Sequence, residues 1–267
     1  MLNKTLYKYG IKSNLKIFFI FIFLITMYIS VICSMYNKES QELLYEFSKT
    51  MPEMMTLFGM NGELNNSYIS FLISYLYGFI LLIIPMIFSI ILSNKLISSY
   101  VENKSMSYLL SSSNKRIVIF NTQFCVLMTF ETILSIYITS LILILSTILF
   151  PLELNLNKFI ILNTGLFAFN ILLSNISLFF STLTNESNSS YLYGAGSLLF
   201  FYLIQMLVNF GGNLDKLKYF TIFTLFDSNG LINFNTISII FIFIIICIII
   251  SLYLLAKRIF IKKDLHV

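Results

Sequence analysis

Charged residues are scarce in this 267-residue chain: they make up 11% of it, whereas a soluble protein carries about 25%. Hydrophobic residues make up 58%, and the mean hydropathy is +0.88. So few charges cannot cover a water-facing surface, and the composition excludes an ordinary soluble domain and indicates an integral membrane protein. Tryptophan is absent, so the 16 tyrosines would have to supply any aromatic belt at the membrane surface.

Groups that carry chemistry are also missing. The only histidine is His266, which excludes an HExxH zinc site and a Ser–His pair inside the membrane. No glycine begins a phosphate-binding loop of the GxxxxGKS or GxxxxGKT type. The three cysteines lie in separate apolar runs, so their spacing predicts neither a disulfide framework nor a metal site. We therefore expect no catalytic, cofactor-binding or metal-binding residue in this chain, and no enzyme activity of its own.

Six apolar stretches are long enough to cross a membrane, because about 20 apolar residues span the hydrocarbon core. Their cores are residues 17–36, 68–93, 117–150, 159–183, 190–210 and 236–257. The third is long, roughly 50 Å at 1.5 Å per residue, and Pro151 is expected to end it, whereas Pro85 is expected to kink the second. The predicted fold class is an all-α integral membrane protein with six transmembrane helices, in which residues 1–267 form a single transmembrane domain.

Basic residues are distributed unevenly between the two sides of this predicted bundle. Six spans place both termini on one side, and that side carries 12 of the 17 lysines and arginines. The positive-inside rule makes it cytoplasmic. The net charge of +5 is therefore an asymmetry across a membrane, and because the basic residues form no surface stripe we expect no nucleic-acid partner.

Four segments lie outside the predicted spans. Residues 1–16 carry lysines at four-residue steps, a pattern that predicts an N-terminal interfacial helix or, alternatively, an unstructured basic arm. Residues 37–67 are predicted to be an external loop with a helix, which either faces a ligand or covers the ends of spans. Residues 211–235 form a second external loop that either stays outside or dips back toward the membrane. Residues 94–116 are the longest cytoplasmic connection.

Polar side chains recur at helical spacing inside the spans. Because polar groups that face lipid are costly, we expect them to face other helices or a cavity. The candidates for lining such a cavity are Glu131, Ser135, Asn163, Asn170, Ser174, Ser197 and Gln205. The alternative is that most of them are contacts between helices of the kind that any bundle needs. Apart from Lys257 at the last position of the sixth core, Glu131 is the only charged residue within a span core, and it is either functional or close to the head groups of a tilted span.

The cytoplasmic connection 94–116 contains apolar residues among charges. It predicts a short helix whose anchors are Tyr100, Met106, Tyr108, Leu109 and Leu110. A helix of this kind can bind in a groove of a partner protein, with apolar anchors supplying affinity and charges supplying register. The alternative is an ordinary solvated loop.

The stretch YVENKSMSYLLSSSNKR, residues 100–116, resembles the cytoplasmic segment after span two in ABC transporter permeases of the type-2 class, which are six-span, exporter-type membrane subunits. The residues that match the pattern are Glu102, Leu109, Leu110 and Arg116, with Ser105 at its threonine. Lys104 stands at the glycine of the pattern and Ser113 at its proline. The external stretch MPEMMTLFGMNG, residues 51–62, also resembles the Pro-Glu and Phe-Gly elements that those permeases carry before span two.

The resemblance implies a permease that does not itself hydrolyse ATP. ATP and Mg would be bound by separate ABC ATPase subunits, two copies of which would bind below two permeases, identical or homologous to each other. The residues that would contact the ATPase are Glu102, Ser105, Met106, Tyr108, Leu109, Leu110 and Arg116. The cavity-lining candidates would line the translocation path, and the expected location is the bacterial cytoplasmic membrane.

The expected function is therefore export of an amphipathic compound, such as a drug, an antimicrobial peptide or a lipid. Three other functions stay open at this point: an ATP-independent secondary transporter or lipid flippase, an intramembrane enzyme, and a structural or sensory subunit. The missing catalytic groups disfavour the enzyme, and the lack of visible inverted repeats disfavours the secondary transporter.

Overall fold

The computed structural model describes residues 2–60, 67–111 and 115–263, and all regular structure in these ranges is helical. The helices are α1 Lys4–Ser34, α2 Lys38–Thr50, α3 Pro52–Leu57, α4 Tyr68–Leu72, α5 Ile80–Leu96, α6 Ser98–Glu102, α7 Ser105–Ser111, α8 Arg116–Leu149, α9 Leu156–Leu183, α10 Ser187–Asn209, α11 Ser228–Ile232 and α12 Thr236–Lys262. A π-helical turn, Ile73–Tyr77, follows α4, and 3-10 turns occupy Gly212–Phe220 and Phe223–Leu225.

Six helical segments are long and apolar enough to cross a membrane, which confirms the prediction of six spans. They are Lys4–Ser34, Tyr68–Glu102, Arg116–Leu149, Leu156–Leu183, Ser187–Asn209 and Thr236–Lys262, here called spans one to six. Each overlaps the corresponding predicted core. The chain is therefore a multi-pass integral membrane protein that associates with a lipid bilayer.

The N-terminal segment and span one form one continuous helix. Asn3 begins it, since its side chain accepts a hydrogen bond from the Leu6 N–H at 2.9 Å. The buried face of α1 lies against α8, and Gly10 allows a close approach, because a Cβ there would come within 3.0 Å of Val126. The predicted interfacial helix at 1–16 is thus the first part of α1 and not a separate element.

Spans two and four occupy the centre of the bundle. Their most apolar stretches are 67% and 72% buried, whereas those of the other four spans are 11–28% buried. The regular helix of span two is interrupted at the π-helical turn and at Gly78–Phe79, where the backbone of Phe79 leaves the helical region. Pro85 lies inside α5 without ending it. The four outer spans leave broad apolar faces for lipid or for another protein.

The first external segment folds back onto the bundle. Met55 of α3 is buried, and Asn209, at the end of span five, donates from Nδ2 to the Leu57 carbonyl oxygen at 3.2 Å. The ring of Phe58 packs edge-on against Phe79, with centroids 4.8 Å apart. Of the two predicted roles for this segment, these contacts favour a helix that covers the ends of spans.

The second external segment dips into the bundle. Phe223 and Phe226 pack on Phe169 of α9, with ring centroids 5.3 and 5.6 Å away. Phe169 lies 13 residues from the start of α9, which is roughly 20 Å along the helix axis. Thr221 also donates from its hydroxyl to the Phe201 carbonyl oxygen of α10 at 2.8 Å. Backbone at this depth is possible because protein covers it.

Candidate docking surface and polar path

The described part of the connection between spans two and three forms two short helices, α6 and α7, separated by a tight turn at Asn103 and Lys104. Lys104 has a φ of 56°, in the left-handed region that glycine adopts most easily. Ser105 donates from its hydroxyl to the Tyr100 carbonyl oxygen at 3.1 Å, which closes the turn. In place of the single helix predicted in 94–116, residues 98–111 therefore form a helix–turn–helix element at the end of span two.

The predicted docking residues point in different directions. Met106 is buried and attaches α7 to the bundle, whereas Tyr108 is 79% exposed and Leu109 is half-buried. The side chain of Leu110 lies outside the described part of the chain. Tyr108 and Leu109 line a groove of about 400 Å³ between α7 and the start of α1. The residues of this N-terminal groove are Asn3, Thr5, Leu6, Tyr9, Tyr100, Ser105, Tyr108 and Leu109.

Glu102 connects the docking element to another part of the bundle. Its Oε2 accepts a hydrogen bond from the Ser187 N–H at 3.2 Å, at the start of α10. A carboxylate at this position also interacts favourably with the positive end of the helix dipole. Asn94 donates to the Ser187 carbonyl oxygen at 2.9 Å, and Ser98 donates to the Ser181 carbonyl oxygen at 3.0 Å. A movement of α6 would therefore reach the junction of spans four and five directly.

The end of span six is held by two cations. Arg116, predicted as a docking residue, donates to the carbonyl oxygens of Ile261 and Lys263 at 3.1 and 2.8 Å. The ammonium of Lys263 donates to the carbonyl oxygens of Thr182 and Thr184, at the end of α9. Burial lowers the pKa of Lys263 to about 8. These bonds join the start of span three to the ends of spans four and six. Nothing in the sequence pattern distinguished Lys263 from the other basic residues of the tail.

Two of the seven predicted path residues line one groove. Ser135 and Asn163 lie on either side of a groove of about 360 Å³ between α8 and α9, together with Thr139. The Thr139 hydroxyl lies 3.3 Å from Asn163 Oδ1, and Asn163 Nδ2 donates to the Phe159 carbonyl oxygen at 2.9 Å. Most of the remaining lining is apolar. This α8–α9 groove could hold an elongated apolar group with a few hydroxyls along its length.

The other path candidates in α9 and α10 lie elsewhere. Asn170 and Ser174 are buried, and Ser174 donates to the Ile171 carbonyl oxygen of its own helix. Ser197 likewise bonds within α10, to the Gly194 carbonyl oxygen, and Gln205 donates to Asn209. These bonds are typical of packing between and within helices. These residues do not line the α8–α9 groove, so the seven path candidates do not form one site.

Glu131 is 2% exposed, within the bundle and not at its edge. Its Oε1 lies 2.6 Å from the Ser89 hydroxyl of α5, and the same hydroxyl lies 2.9 Å from the Pro85 carbonyl oxygen. Phe130 and Phe88, the neighbours of Glu131 and Ser89 along the chain, pack on each other with ring centroids 6.1 Å apart. Glu131 therefore connects span three to span two, close to Pro85, and of the two predicted placements the structure favours the interior.

A further groove, beside the turn at Asn103, was not predicted. It has a volume of about 290 Å³ and lies between α1 and the end of span two. Its lining residues are Tyr9, Ser13, Asn14, Lys95, Ser99, Tyr100, Asn103 and Ser105, and it is here called the polar groove. The two walls are about 80 residues apart in the sequence, so the spacing within either segment does not indicate a shared site.

The described residues contain no cluster of histidine, cysteine or acidic side chains that could hold a metal ion. Comparison of the chain with protein-family models, with curated proteins and with solved structures finds no match. What the fold and these surfaces define is therefore a class: a six-span integral membrane protein with a structured helical element between spans two and three.

Proposed function

We propose that the chain is the membrane-spanning permease subunit of an ABC transporter, which exports an amphipathic compound with energy from ATP hydrolysed by a separate subunit. The observation that carries this proposal is the element α6–α7. It is a helix–turn–helix that is attached to the bundle through Met106 and that presents Tyr108 and Leu109 at a groove beside α1. A partner that binds there would contact two elements of the permease at once.

The turn inside this element supports the same proposal. Lys104 stands where the permease pattern has glycine, and its φ of 56° is a conformation that glycine favours. A glycine at this position of the pattern would adopt the same backbone conformation without strain, which supports the resemblance in the residues around it, Glu102, Ser105 and Leu109.

The contacts of the element support a mechanism for coupling. ATP-driven closure of two ATPases would move α6, and α6 is bonded to the junction of spans four and five at Ser181 and Ser187. Two packings of the spans, each preferred by a different nucleotide state of the partner, would then alternate. The α8–α9 groove, with Ser135 and Asn163, would hold the apolar part of the cargo along its path.

An ATP-independent secondary transporter or flippase is the second candidate. The observation that favours it is Glu131, because a buried acid in a span is a common element of proton relays. The two candidates differ in what they require of this side chain: the secondary transporter requires that it gain and lose a proton, whereas the ABC permease does not.

The proposal requires α6 and α7 to lie in the cytoplasm, and cysteine labelling tests this requirement. In a variant without Cys33, Cys125 and Cys247, we expect Tyr108→Cys not to react with a membrane-impermeant maleimide in intact cells. It should react once the cells are permeabilised. The matched control is Leu152→Cys, in the fully exposed turn at the opposite end of α8. It should react in intact cells. Labelling of Tyr108→Cys from outside would contradict the proposed function.

A further inference from the structure

The polar groove lies at the depth of the lipid head groups. Lys16 is the last charged residue before a stretch without charges that extends to Asn37, and Lys95 is the first charged residue after another such stretch, 64–94. These two lysines therefore mark the cytoplasmic edge of the hydrocarbon core on spans one and two. The groove opens between the same two spans, at Ser13 on α1 and at Lys95 itself.

The surroundings of the polar groove are positive. Lys95 is the only charged residue that lines it, and no acid does. Lys12 and Lys16 follow Tyr9 and Ser13 by three residues on α1, and they therefore lie on the same helical face as those lining residues. Glu102, the nearest acid along the chain, bonds to the Ser187 N–H of α10. The groove thus favours an anion.

The walls of the polar groove also offer hydrogen-bond donors. Asn14 is almost fully buried, and its Nδ2 donates to the Gly10 carbonyl oxygen at 2.8 Å and to Ser13 Oγ at 3.3 Å. Ser13 accepts from Asn14 and donates its own proton to the Gly10 carbonyl oxygen at 3.4 Å, a long hydrogen bond that a phosphate oxygen could replace. The exposed Tyr9 hydroxyl and the Asn103 amide add two further donors.

We propose that the polar groove binds the phosphate group of an anionic lipid from the cytoplasmic leaflet. The lysine supplies charge, the hydroxyls and amides bond to the phosphate oxygens, and the depth of the groove places it where lipid phosphates are found. A lipid held there contacts both α1 and the turn at Asn103, and so stabilises the docking element against α1. This inference depends on the membrane location of the chain and not on its being an ABC permease.

The test uses the purified full chain in a neutral detergent with phosphatidylcholine, titrated with short-chain phosphatidylglycerol. We expect the midpoint of thermal unfolding to rise with added phosphatidylglycerol, since a ligand that binds the folded state stabilises it. Lys95→Gln should weaken the apparent affinity about fivefold, the usual effect of one lysine near a charged surface. Asn103→Asp, which places a negative charge in the groove, should weaken it at least as much.

Controls separate this site from general attraction between lysines and anionic lipid. Lys49→Gln, on α2 at the other side of the bundle, should leave the affinity unchanged. An equal weakening by Lys49→Gln, or an unchanged affinity in Lys95→Gln and Asn103→Asp, would overturn the proposal. An equal stabilisation by inorganic phosphate alone would also overturn it, because the site would then be one for a soluble anion.

One further outcome would show that the polar groove binds a protein partner and not a lipid. If phosphatidylglycerol has no effect on wild type while Lys95→Gln no longer captures a partner from membranes, the groove binds an acidic segment of that partner. That result would overturn the lipid assignment and leave the proposed function standing. Loss of lipid binding in Lys95→Gln with unchanged partner capture would instead support the lipid assignment by itself.

Discussion

Replacement of Leu109 by aspartate is expected to abolish co-purification of the chain with an ATPase while leaving its insertion into the membrane intact. Leu109 is half-buried in the N-terminal groove next to the exposed Tyr108, so a partner that fills the groove would bury it. A carboxylate there would lose water without gaining a partner. Loss of a central apolar contact costs about 2 kcal/mol or more, which is roughly 30-fold in affinity.

The double variant Leu109→Asp with Leu110→Asp should give complete loss of the ATPase. The matched control is Leu152→Asp, which makes the same chemical change on the fully exposed turn between α8 and α9. It should retain the partner at the wild-type level. The measurement is the amount of ATPase per permease after affinity purification from membranes. Normal co-purification of the Leu109 variants would show that α7 is not the docking helix.

Replacement of Glu131 by alanine is expected to destabilise the contact between spans two and three substantially. The Ser89 hydroxyl has one proton but lies within hydrogen-bond distance of two acceptors, Glu131 Oε1 and the Pro85 carbonyl oxygen. It donates to Glu131 Oε1 at 2.6 Å, and the Pro85 carbonyl oxygen at 2.9 Å shares the same proton in a three-centre hydrogen bond. Alanine removes this bond and leaves a cavity, at a cost of about 2–4 kcal/mol.

Glutamine is the informative control at position 131. It keeps the size of the side chain and an oxygen that can accept from the Ser89 hydroxyl. We therefore expect Glu131→Gln to keep the unfolding temperature and the ATP hydrolysis of the complex near wild type. A secondary transporter that needs a proton on Glu131 would instead lose transport in this variant. Retained stability in Glu131→Ala would contradict the structural role, and lost ATP-driven function in Glu131→Gln would favour the second candidate.

The spans could be predicted from the sequence because their signal is local. Charge-free stretches of about 20 residues have few alternatives to a transmembrane helix, whereas the cytoplasmic side stays a prediction from the positions of the lysines. Helix starts have local signals too: Asn37 and Asn155 accept hydrogen bonds from the first turns of α2 and α9. The helix in 94–116 was predicted for the same reason, from its own spacing of apolar residues.

The arrangement of the spans could not be predicted, because polar side chains recur at helical spacing both in the central span four and in the outer spans three and five. No periodicity distinguishes the central spans two and four from the outer ones, so it was not evident that Asn170 and Ser174 would be buried outside the α8–α9 groove. The contacts of Arg116 and Lys263 with carbonyl oxygens depend on helix ends that come together only in the fold. The same holds for the polar groove, whose Ser13 and Lys95 are far apart in the chain.

The measurement that tests the central claim most directly is ATP hydrolysis by this chain in lipid nanodiscs, prepared once alone and once with whatever co-purifies from its native membranes. The account predicts no hydrolysis by the chain alone. It predicts that a separate ATPase with a phosphate-binding loop co-purifies and that the complex hydrolyses ATP. Hydrolysis by the chain alone, or a preparation from native membranes that contains no such ATPase, would contradict it.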